Sequence, residues 1–91
     1  MTEEQLSRLR TWAATLAEHG SGEKQAAGRT IQTLAHRVEV LRQGDSPYWD
    51  ELDLLEAKRL ARQLSTGGGP PARRSAARAI TLLVEEHERL S

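Results

Sequence analysis

Apolar residues recur along this chain at three- and four-residue spacings, and no stretch alternates apolar and polar for the length a strand needs. Glycine and proline interrupt the pattern at three places, which predicts four helices. Leu6, Leu9, Trp12, Ala13, Leu16 and Ala17 fall on one side of a helix over 3–19. Thr2 and Gln5 form a capping box at its start, and Gly20-Ser21-Gly22 ends it. A second helix over 23–43 aligns Ala27, Thr30, Ile31, Leu34, Ala35, Val38 and Leu41 before Gly44 stops it. Ser46 as N-cap and Pro47 at the first helical position open a third helix over 47–65, with the stripe Leu54, Ala57, Leu60, Ala61 and Leu64. The segment 65–71, Ser-Thr-Gly-Gly-Gly-Pro-Pro, cannot continue a helix and reads as a flexible link. A fourth helix over 72–90 gathers Ala72, Ala76, Ile80, Leu83, Val84, His87 and Leu90. Four helices with short links predict an all-α, antiparallel up-down bundle, folded as one domain over 1–91.

The third helix is apolar on two sides. Tyr48, Leu52 and Leu55 lie well off its main stripe, and a helix with two apolar sides usually has two neighbours. One is the bundle; the other is a second copy of the chain, a different protein, or the preceding loop folded back.

A loose internal repeat runs through the pattern. Ala27, Arg29, Ile31, Leu34, Glu39 and Leu41 return 49 positions later as Ala76, Arg78, Ile80, Leu83, Glu88 and Leu90. Two explanations remain open at this point: a repeated helical hairpin, 3–43 and 47–90, or two amphipathic helices matching through shared periodicity.

Composition narrows the function classes. Thirteen basic and thirteen acidic residues cancel, so no overall field draws in nucleic acid or an anionic membrane. Cysteine is absent, which removes disulfides and thiolate metal sites and fits a reducing, cytoplasmic setting. The longest run of large apolar residues, Leu82-Leu83-Val84, is far too short to cross a bilayer. Arg outnumbers Lys eleven to two, and with the Ala content this points to a GC-rich bacterial genome.

Candidate chemistry is sparse. Arg73, Arg74 and Arg78 stand at the start of the fourth helix, where its dipole disfavours positive charge. Either they hold a phosphate, carboxylate or nucleic-acid backbone beside free amides, or the helix starts a turn later at Ser75 and they are solvated or paired with acidic residues. The second alternative is the simpler. His19, His36 and His87 share no ligand spacing, so no metal or other cofactor is expected, and no serine or threonine sits in a nucleophile context. Trp12 is expected in the core. Tyr48 and Trp49 sit where a bundle is least covered and belong to the residue types enriched at interfaces.

The sequence therefore predicts a non-enzymatic helical interaction or regulatory module that associates with itself as a homodimer or with another protein. Tyr48, Trp49, Leu52, Leu55 and Arg59 are the expected contact residues. The alternative is a small regulator touching nucleic acid or a phosphorylated ligand through Arg73, Arg74 and Arg78.

Overall fold

The computed structural model describes residues 1–20, 22–44, 51–66, 69 and 71–90, with side chains from Leu54 onward in the third helix. Four helices follow in order: α1 (Glu3–His19), α2 (Glu23–Arg42), α3 (Glu51–Ser65) and α4 (Pro71–Leu90). No strand occurs among the described residues. The third helix is described from Glu51, so the expected start at Ser46-Pro47 lies outside them. α4 begins at Pro71 and not at Ser75, because proline is preorganised for a first helical turn and needs no amide partner there.

Local chemistry explains the ends that can be seen. Thr2 Oγ1 accepts from the Gln5 amide at 3.1 Å while Gln5 Oε1 accepts from the Thr2 amide at 2.9 Å, the reciprocal cap expected. Gly22, which opens α2, has φ +58°, a backbone conformation costly for other residues.

The packing is a flattened four-helix bundle measuring 38 × 25 × 19 Å. α1 packs on α2, α2 on α4, and α3 on α4, whereas α2 and α3 touch lightly. Arg73 of α4 pairs with Glu23 at the start of α2, and Arg42 at the end of α2 pairs with Glu86 late in α4, so α2 and α4 lie side by side running the same way. They form the centre, and α1 and α3 flank them.

Each buried position of α2 has a buried counterpart 49 residues on. Ala27, Gly28, Ile31, Leu34, Ala35 and Val38 correspond to Ala76, Ala77, Ile80, Leu83, Val84 and His87, all on the inner face of α4. The outer helices repeat at a 48-residue interval: Leu6 corresponds to Leu54, Ala13 to Ala61 and Leu16 to Leu64. The two hairpins thus repeat each other in packing, which shared periodicity of isolated helices does not require.

The repeat differs where α1 crosses α2. A Cβ on Gly28 would lie 2.6 Å from the Ala13 carbonyl oxygen and 2.7 Å from the Ala17 amide nitrogen, so the helices meet backbone to backbone. The second hairpin carries Ala77 at that position.

Candidate functional site

The outer face of α3 is exposed where its side chains are described. Leu55 is 50% exposed, and Arg59, one turn on, is exposed beside it. Tyr48 and Trp49 lie outside the described residues, as does the Leu52 side chain. Of the expected contact patch, the structure brings together Leu55 and Arg59. Leu60, expected on the buried stripe, is half-buried, because α3 has α4 beside it but only light contact with α2.

The three arginines of α4 separate into two groups. Arg73 donates to Glu23 Oε2 at 3.0 Å and to the Gln63 carbonyl at 3.2 Å, so it ties the start of α2 to the end of α3. It places a cation near the carbonyl terminus of α3 and holds the Glu23 carboxylate, which itself suits the amino terminus of α2. Arg74 and Arg78 are exposed and line a groove of about 770 Å³ between α3 and α4. Arg62 of α3 joins them there, a residue that linear spacing did not single out. Farther along, the same groove is lined by Glu85 and Glu88.

A second groove, of about 700 Å³, opens between α1 and α4 because those helices are not direct neighbours. Leu9, Trp12 and Leu82 supply its apolar lining, and Arg8, Glu85 and Arg89 stand among its polar residues. Trp12 is half-buried here, not enclosed in the core as expected: α1 leans on α2 alone and leaves one edge of its stripe uncovered. Leu82 is 45% exposed. Its one sequence signal is its place in the Leu82-Leu83-Val84 run, where consecutive residues cannot all face inward.

The internal repeat supplies a comparison within the molecule. The corresponding groove between α3 and α2, about 350 Å³, carries Ala57 where the first has Leu9, Leu60 for Trp12, Thr33 for Leu82 and Glu56 for Arg8. The same backbone arrangement is thus lined by large apolar side chains on one side and smaller or polar ones on the other.

Glu86 anchors the floor of the apolar groove. It is 7% exposed, accepts from Arg42 at 3.1 Å and from Arg89, and lies 3.7 Å from the terminal amine. The Arg89 hydrogen bond outweighs burial and, with Arg42, holds this carboxyl at about 2. Buried His87 shifts downward through desolvation, which the nearby Arg37 charge reinforces and Glu88 opposes. His19 and His36 are exposed, and no group of three potential metal ligands occurs among the described residues. No described helix is long and apolar enough to cross a membrane.

Comparison with known protein families, curated proteins and solved structures gives no match to this chain. The functional reading therefore stands on the surfaces themselves.

Proposed function

We propose that this protein is a non-enzymatic helical interaction module of regulatory or adaptor type, which binds an apolar helix face of another protein and also associates with itself. The observation that carries this reading is the α1–α4 groove. Leu9, Trp12 and Leu82 line it, while the corresponding groove of the repeat has Ala57, Leu60 and Thr33. The exposed Leu82 and the uncovered parts of half-buried Leu9 and Trp12 gain by burial against a partner, at about 25 cal/mol per Å² of apolar area removed from water. The outer face of α3, with Leu55 and Arg59, is a second contact surface, continued in sequence by Tyr48, Trp49 and Leu52. Aliphatic and aromatic contact chemistry with a polar rim suits recognition better than bond making. The lack of cysteine accords with a cytoplasmic setting, and the excess of Arg over Lys with a bacterial one.

Trp12 is a built-in reporter once Trp49→Phe removes the other indole. Titration with a designed amphipathic peptide bearing a leucine face should shift Trp12 emission and saturate, whereas a peptide with alanine at those positions should not. Leu82→Glu should abolish the response while circular dichroism stays helical. No response to the leucine-faced peptide removes the groove reading.

One further observation favours a second reading. Arg62 joins Arg74 and Arg78 in one groove, three exposed guanidiniums suited to a phosphorylated ligand or a nucleic-acid backbone. A phosphate-dependent rise in melting temperature, lost in Arg74→Ala with Arg78→Ala, tests it. Nucleic-acid binding through these residues would weaken steeply with salt.

A further inference from the structure

We infer that the outward face of α4 is a two-fold docking surface for a second copy of this chain. The inference deepens the self-association part of the interaction-module reading and rests on it. Arg74, Arg78, Thr81, Glu85 and Glu88 follow one another at spacings of four, three, four and three residues, which places them along one stripe of the helix. Leu82, exposed, stands beside the middle of that stripe. All but Thr81 and Leu82 are charged, with cations in the first half and carboxylates in the second.

That order opposes the helix dipole, which favours acids at the start and bases at the end. The first turn of α4 contains no acid at all. Arg74, Arg78 and Glu85 form no ion pair among the described residues, so the molecule itself does not compensate the arrangement. Glu88 meets Lys58 at 2.8 Å, but both side chains are half exposed and leave the carboxylate accessible.

A second copy laid antiparallel supplies the compensation. With the two-fold axis between Thr81 and Leu82, Arg78 of each chain faces Glu85 of the other, and Arg74 lies one residue from register with Glu88, within reach of its long side chain. Each pairing occurs twice, and Leu82 lies beside the axis. This is the self-complementarity that an isologous interface demands. An anion would engage only the arginine half of the stripe, whereas a second copy engages the Glu85 and Glu88 half as well. The corresponding stripe of α2 lacks the pattern: His36 stands at the position of Glu85, Gln25 at that of Arg74 and Thr33 at that of Leu82. The charge order is a property of α4 and not of the repeat.

Light scattering over a concentration series at low salt tests the surface. The parent chain should dimerise, and Arg78→Glu or Glu85→Arg alone should weaken the dimer by about tenfold or more, since each substitution creates two like-charge contacts. An equimolar mixture of those two variants should restore association, because both contacts in the mixed dimer again join opposite charges. Circular dichroism verifies that each variant remains helical. A parent chain that stays monomeric overturns the proposal, as does a parent dimer unaffected by either single variant. A mixture that fails to associate overturns the two-fold pairing. Leu82 and Glu85 border both surfaces, but Leu9 and Trp12 line only the α1–α4 groove, so a Trp12 titration run at a concentration where scattering shows monomer keeps failure of this surface separable from failure of the interaction-module reading.

Discussion

Lys58 meets Glu88 at 2.8 Å across α3 and α4 in the same relative position that brings Arg10 to Glu39, also at 2.8 Å, across α1 and α2. Lys58 lies 48 residues after Arg10, and Glu88 lies 49 after Glu39. One interhelical ion pair therefore occurs twice, once in each hairpin. Both pairs are substantially exposed, so each contributes about 0–1 kcal/mol and reports register more than it confers stability.

The crossing at Gly28 gives the first expectation. Gly28→Ala improves intrinsic helix propensity by about 1 kcal/mol, yet it drives a methyl group into the α1 backbone, and overpacking of this kind costs about 1–3 kcal/mol. The Ala13 oxygen cannot move without shifting α1, so net destabilisation is expected in urea unfolding. Ala77→Gly at the corresponding site should also destabilise, through the propensity loss.

Packing separates two leucines of α3. Leu64 is 2% exposed, and Leu64→Ala should cost about 2–5 kcal/mol as a buried cavity. Leu60 is half-buried beside the shallow α2–α3 groove, where solvent can refill the space, so Leu60→Ala should cost less. Equal losses in denaturant midpoint would place Leu60 deeper than the bundle geometry does.

Stability should fall with acid over two pH ranges. His87 titrates below its ordinary value of 6.5 in the folded state, so the unfolded chain takes up that proton first and stability falls as pH drops below about 6.5. Glu86 is held at about 2 instead of 4.5, so its contribution is complete above 4.5 and is lost as pH falls toward 2. Unfolding free energies measured from pH 7 to 2 should show both losses, and Glu86→Gln should flatten the lower one.

Arg73 and Arg74, adjacent in sequence, should respond differently. Arg73→Ala removes an ion pair to Glu23 and a bond to the Gln63 carbonyl of α3 at a largely covered site, a loss of about 1–2 kcal/mol. Arg74→Ala should change stability by less than about 0.5 kcal/mol. Melting temperatures of the single variants distinguish the two.

Local features were the legible ones. The capping box of α1 spans four consecutive residues, the helix stripes span single helices, and the breaks coincide with glycine and proline, so each is encoded within a few turns. What escaped depends on which helices become neighbours. Arg73 finds Glu23 fifty residues away. Trp12 belongs to a stripe that reads as core, and only the central α2–α4 pairing leaves α1 with an uncovered edge. Leu82 is exposed for the same reason. For the α3 patch, Leu55 and Arg59 lie where the amphipathic pattern put them.

The matching inner faces of α2 and α4 carry a consequence for assembly. Each hairpin offers nearly the same relief, Ala-x3-Ile-x2-Leu, to whatever hairpin docks on it, so a hairpin from a second molecule is a chemically acceptable substitute for the chain's own. Discrimination falls to the positions that differ, Gly28 against Ala77, Ala35 against Val84 and Val38 against His87. Refolding at high concentration should therefore yield some exchanged dimers in which first and second hairpins are traded between molecules. Such dimers would dissociate only by opening the whole α2–α4 seam, which makes them long-lived.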